Sequence, residues 1–190
     1  MQRIITSLLL LFAVTTTVAF AQNQEIRLDN NAMIWVDGTS TLHDWTVESA
    51  RAAGIIVITN DAISSVSVQV DANSLESGKS GMDRRMYDAL DVRGNNQIRF
   101  ESSSITLNDD LRSGVATGQL TIAGQTRDHE VPFELENDGS DWKFTGQTAL
   151  LMTTFDIDPP TAVMGTVRTG DEVVIRFEIN SSQPLFVNAQ

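Results

Sequence analysis

Along most of this chain apolar and polar residues alternate one by one. Between residues 63 and 71, Val66, Val68 and Val70 share one face, and Ser65, Ser67, Gln69 and Asp71 share the other. Between residues 129 and 136, Val131, Phe133 and Leu135 oppose Glu130, Glu134 and Glu136. Near the end, Val173, Ile175, Phe177 and Ile179 alternate with Arg176, Glu178 and Asn180. A period of two is that of a strand with one buried and one wet face, and antiparallel sheets accommodate that asymmetry. Residues 32–39, 45–59, 97–107, 114–122 and 142–152 read as further strands, giving about eight in all.

Turn residues separate these stretches. Thr59-Asn60-Asp61, Asn108-Asp109-Asp110 and Asn137-Asp138-Gly139-Ser140 are loop clusters, and Ala123-Gly124-Gln125 reads as a tight hairpin in which Gly124 supplies the positive φ. The short spacings favour hairpins over crossovers. One segment breaks the period: Met82, Met86 and Leu90 recur at helical spacing within residues 81–90, with Ser80 as the expected N-cap, Asp83 as its capping partner and Gly94 closing the helix. The pattern predicts an all-β fold: an eight-stranded antiparallel barrel with one short helix between strands. Closure would remove the exposed sheet edges.

The first residues follow a different rule. Met1-Gln2-Arg3 is a short positive start, residues 4–18 are apolar or hydroxylic, and Ala19-Phe20-Ala21 presents small residues where a signal peptidase cuts. This is the pattern of a secretory signal peptide. It divides the chain into a signal at 1–21 and one domain at 22–190, and it implies export to the periplasm or the extracellular space. No later segment is long enough to span a membrane as a helix, so no stable membrane insertion is expected after signal removal. A domain of this length can bury a core without staples, in keeping with the absence of cysteine.

Charge narrows the partners. The chain carries a formal net charge of −12 and only two lysines, Lys79 and Lys143. Nucleic acids and anionic lipid surfaces need a basic patch, so neither is an expected partner. Catalysis is not expected either. Ser40, His43 and Asp44 could be imagined as a triad, but neighbours on an extended strand point to opposite faces. No Gly-x-Ser-x-Gly elbow occurs. His43 and His129 read as turn caps or as hydrogen-bonding groups near a barrel end. With no cysteine and no His-x-x-x-His spacing, no metal site is expected. Asp156-Ile157-Asp158 reads as a turn before Pro159-Pro160 and not as a calcium loop.

The order of motifs resembles the YceI-like family of exported, lipocalin-like barrels. The matching pieces are Val36-Asp37-Gly38-Thr39-Ser40-Thr41-Leu42-His43-Asp44-Trp45, the helix at 82–90, Gln97-Ile98-Arg99-Phe100, the hairpin Gly118-Gln119-Leu120-Thr121-Ile122-Ala123-Gly124, the 152–160 segment and Asp171-Glu172-Val173-Val174-Ile175. The helix departs from the family: it reads Met-Asp-Arg-Arg-Met-Tyr where many members carry Arg-Asp-x-His-Leu, and Gln97 stands for the usual Pro. The resemblance implies a binding protein that holds a polyisoprenoid, isoprenoid quinone or fatty acyl chain inside the barrel, for sequestration or transport. It implies no other cofactor.

With the alternation, the resemblance nominates Val68, Val70, Met82, Met86, Ile98, Phe100, Leu120, Phe133, Phe155 and Phe177 as cavity lining, with the two methionines as an adaptable lid. Val66, Ile122, Val131 and Ile175 share those inward faces, and Trp35, Trp45 and Trp142 are expected near the barrel or its rim. The competing reading is a filled barrel acting as an envelope interaction or stress protein without a lipid, because alternation alone does not separate a filled interior from a hollow one. Oligomeric state is left open, a homodimer included.

Overall fold

Every stretch read as a strand contributes to the sheet, one of them as two strands, and the sheet is antiparallel throughout. The computed structural model describes residues 23–28, 32–60, 62–109, 112–137 and 141–181. The expected signal at 1–21 lies outside the described residues. The strands are β1 (Asn23–Arg27), β2 (Ala32–Ser40), β3 (Trp45–Ser49), β4 (Ala52–Thr59), β5 (Ala62–Asp71), β6 (Gln97–Leu107), β7 (Ser113–Ile122), β8 (Gln125–Asn137), β9 (Trp142–Leu151), the short β10 (Thr161–Ala162) and β11 (Val167–Ser181). One helix, α1 (Ser80–Ala89), lies between β5 and β6. The path across the sheet is β1-β4-β5-β6-β7-β8-β9-β11-β2-β3, with β10 attached to β11.

The expected eight-stranded closed barrel is therefore corrected to a curled half-barrel with a ten-strand path. Two differences account for the count. The stretch 45–59 is broken at Ser49, whose hydroxyl accepts the Arg51 N–H at 3.0 Å and meets the Ser74 hydroxyl at 2.7 Å. A side chain that satisfies the backbone locally lets the chain leave one strand and start another. At this corner β3, paired with β2, gives way to β4, paired with β1 and β5. The second difference is β1 itself, five residues without clear alternation. Among the described residues no ladder joins β1 to β3, but Glu48 and Glu76 exchange backbone hydrogen bonds of 3.0 and 2.9 Å, tying β3 to the segment that follows β5.

The hairpin between β7 and β8 turns on Ala123 (φ 48°) and Gly124 (φ 76°), both left-handed, as a two-residue turn of this hand requires. The helix caps differ from expectation. Lys79, not Ser80, is the N-cap residue, and it makes no side-chain cap hydrogen bond. Asp83 instead accepts from the N–H and hydroxyl of Ser77, at 2.8 and 2.5 Å. At the other end Asp91 (φ 47°) takes the left-handed position expected of Gly94. Asp91 then holds Asn95 through backbone and side-chain bonds of 2.8 and 2.9 Å.

Burial of the inward faces forms two clusters. One runs over β1, β4 and β5 and across to Phe133, Leu135, Phe144 and Ile179; it includes Ile26, Leu28, Ile56 and Ile58. Its Phe133 and Phe144 rings are tilted at 47°, with centroids 6.4 Å apart. The other joins Leu120, Ile122, Leu150, Met152, Phe155, Ile157 and Val173 at the β7–β8 hairpin end, where Ala89 and Leu90 of the helix also pack. Along β7, β8, β9 and β11 the inward positions between these clusters are Gly118, His129, Val131, Gly146, Thr148, Ile175 and Phe177, none of them fully buried.

Candidate functional site: an apolar cavity inside the sheet

The gap between the clusters is a cavity of about 420 Å³. Pockets for small organic ligands run from about 300 to 1,000 Å³. Its wall is built from the inward faces of the strands: β2 gives Ile34 and Val36, β3 Trp45 and Val47, β4 Ile56, β5 Val66 and Val68, β6 Ile98 and Phe100, β7 Leu120, β8 Val131, β9 Leu150 and β11 Ile175 and Phe177. The helix covers one end with the half-buried Met82, Met86, Ala89 and Leu90. It is held there by Tyr87, whose hydroxyl donates to the carbonyls of Leu75 and Asn73 at 2.7 and 3.2 Å. Burial and the surrounding carboxylates of Asp83, Glu76 and Asp71 hold the Tyr87 phenol above its usual pKa, so it stays a donor.

Of the ten residues expected to line a cavity, Val68, Val70, Met82, Met86, Ile98, Phe100, Leu120, Phe133 and Phe177 do so. Phe155 does not, and its assignment is corrected. It lies in a 3-10 turn at Met152–Phe155, is 1% exposed, and packs among Leu150, Met152 and Ile157. Alternation gave no guide there because the strand had already ended. Val66, Ile122, Val131, Ile175 and Trp45 are also in the wall. Trp35 points away, beneath the Arg176 guanidinium at 5.2 Å from its ring centroid, and Trp142 packs against the first cluster.

The lining is almost wholly hydrocarbon. Its exposed polar members, His43, Lys79, Arg85 and Thr161, come from the loop after β2, the helix and β10, and mark the opening. Leu42 and Met164 stand out to solvent on the loops beside it. Those loops are tied together: the Thr41 N–H donates to the Arg168 carbonyl at 2.9 Å, and the Arg168 N–H to the Thr41 hydroxyl at 3.1 Å.

The sequence reads His129 as a turn cap or a hydrogen-bonding group near a barrel end. It instead sits in the wall between the two clusters, with its Nε2 2.8 Å from the Thr148 hydroxyl. Burial holds its pKa below the ordinary value, against a smaller opposing pull from Glu130. The signal was present: His129 continues the inward face of Val131 and Phe133 by two residues.

Ser40, His43 and Asp44 do not form a triad. The Ser40 hydroxyl donates to the His43 backbone carbonyl at 2.7 Å, and the His43 ring faces the Asp44 backbone carbonyl at 2.8 Å, so no base is aligned on the serine. Among the described residues no group of three or more His, Cys, Asp or Glu side chains could hold a metal ion. No described helix is long and apolar enough to cross a membrane.

Comparison with known proteins places this architecture. The family model described as the YceI-like domain matches residues 29–181. No curated protein matches the sequence. Among solved structures, Burkholderia cenocepacia BcnA superposes with a TM-score of 0.67 at 18% identity, covering 79% of this chain and 96% of that one. A polyisoprenoid binding domain from Saccharophagus degradans, implicated in plant cell wall breakdown, superposes at 0.63 and 10% identity, covering 84% and 98%. The Campylobacter jejuni YceI protein gives 0.59 at 15% identity, covering 70% and 81%. At these identities the superpositions establish a shared fold.

Proposed function

The chain belongs to the YceI-like domain family, and from that premise we propose that it is an exported binding protein that holds a polyisoprenoid, isoprenoid quinone or fatty acyl chain for sequestration or transport, and is not an enzyme. The observation that carries this reading is the 420 Å³ apolar cavity enclosed by the curled sheet and the helix. Burial of hydrocarbon contributes about 0.8 kcal/mol per CH₂, so a chain can be held tightly without a charged contact. The structural neighbour described as a polyisoprenoid binding domain supports the ligand class. Met82 and Met86 sit over the interior, and methionine repacks around varied shapes, which suits a lid that admits a flexible chain. The signal-like sequence at 1–21 supports export to the periplasm or beyond.

The cavity weighs against a filled barrel acting through its surface alone. Native mass spectrometry of protein prepared without detergent tests the proposal. A bound mass that solvent extraction removes, or uptake of an offered prenyl lipid, is the expected result. A persistent apo mass in the presence of prenyl and fatty acyl lipids would overturn it.

A further inference from the structure

Among the described lining residues, His129 of β8 and Thr148 of β9 form a polar pair set in the wall between the two apolar clusters. It lies where the β8–β9 ladder stops: paired residues run from Asn137–Trp142 up to Phe133–Gly146 and no further. Beyond that point the Thr148 hydroxyl lies 3.2 Å from the Glu130 carbonyl and 2.8 Å from His129 Nε2. A carbonyl only accepts, so the hydroxyl donates to Glu130. Its oxygen is then left to accept, which requires the proton of a neutral imidazole to sit on Nε2. Burial favours that neutral form. Nδ1 is thereby an unprotonated acceptor. No hydrogen bond within the described residues reaches it, and it is not sealed from solvent.

We propose that His129, oriented by Thr148, is a specificity-determining residue that selects amphiphiles carrying a hydroxyl donor, so that the ligand is a long-chain or prenyl alcohol whose O–H donates to Nδ1 within the cavity. This rests on the lipid-binding reading and sharpens it. In a wall otherwise of Val66, Val131, Ile175 and Phe177, a hydrocarbon or ether leaves the acceptor without a partner, whereas an alcohol satisfies it. Because the imidazole is neutral it adds no preference for an anionic head.

The test compares tetradecanol with its methyl ether, which matches its chain but lacks the donor. Displacement of a fluorescent fatty acyl probe gives both affinities. The alcohol is expected to bind roughly fivefold more tightly to the wild type. In His129→Leu the two ligands should bind equally, with the ether as tight as before or tighter. Histidine ¹⁵N spectra of the wild type supply a reading that needs no variant: Nε2 should carry the proton, and the Nδ1 resonance should move with the alcohol and stay with the ether. Equal binding of both ligands by the wild type, or a proton on Nδ1, overturns the inference while leaving lipid binding intact. Failure of both ligands to bind overturns both.

Discussion

The far end of the interior and its middle are built by the same strands with the same alternation, yet one is solid and the other hollow. At the far end β8, β9 and β11 turn Phe133, Leu135, Phe144 and Ile179 inward, each is buried, and Phe133, Phe144 and Ile179 close that end of the cavity. Two to four residues further along, the same faces present Gly146, covered by Phe177, and His129, Val131, Thr148, Ile175 and Phe177, all half-buried and bordering the void. Gly146 also lets Phe177 lie flat, for a methyl added there would strike the Phe177 ring and the Pro132 carbonyl. Period decides which way a side chain faces; side-chain volume at each level decides whether facing inward means packing or enclosing.

The sharpest way to break this comparison is to truncate one residue in each zone. Phe144→Ala should lose about 3–5 kcal/mol of unfolding free energy, since it removes a buried ring packed against Phe133. Val68→Ala, in the cavity wall, should lose about 1 kcal/mol or less, because its inner side already lacks neighbours. Urea titration of both variants checks the contrast, and equal losses would mean the middle is as well packed as the end. Adding volume reverses the order. Val66→Phe points a ring into the void and should leave stability within about 0.5 kcal/mol, where overpacking a solid core costs about 1–3 kcal/mol. It should weaken lipid binding at least about tenfold, read by probe displacement.

Much of this was legible in the sequence. The inward face of nearly every strand follows from alternation, as Val66, Val68 and Val70 show. The helix follows from Met82, Met86 and Leu90. The parts that were not legible have local causes. Ser49 ends a strand by bonding the Arg51 backbone, which no hydrophobic period reveals. In β6 a bulge between Ser102 and Ser104 shifts the inward face from Ile98 and Phe100 to Ile105 and Leu107, with the Ser102 hydroxyl donating to the Thr117 carbonyl at 2.7 Å. Phe155 lies past the end of β9, where alternation no longer tells which way a side chain points. His129 keeps the register of Val131, but a hydrophobic pattern does not mark a polar ring as part of the wall.

Smaller effects sharpen the contrast between the outer and inner faces. On the outer face Arg176 Nε donates to Asp37 at 2.5 Å, and Thr46 donates to the other carboxylate oxygen at 2.6 Å. The Arg176 hydrogen bond holds the Asp37 pKa below its ordinary value. A lowered carboxylate pKa stabilises the fold above the unfolded value of about 3.9 and loses that contribution as pH falls through the folded one. The side chains are 33% and 42% exposed, so solvent and salt screen the pair, and Asp37→Asn should cost no more than about 1 kcal/mol, and less at high salt.

On the inner face His129 gives the smallest signal. Its folded pKa is lowered, so its contribution is complete above about pH 6.5 and declines as pH falls below that, where the unfolded chain takes up a proton that the folded one resists. His129→Gln should flatten that part of the stability–pH curve, measured by urea unfolding between mildly acidic and neutral pH.

The hollow middle is tested most directly by crystallography of the protein after incubation with an alkyl chain brominated at its end. Anomalous bromine signal enclosed by Val66, Val131, Thr148 and Phe177 is the expected result. Absence of that signal, with the Phe100 and Phe177 rings meeting across a closed interior, would contradict the account.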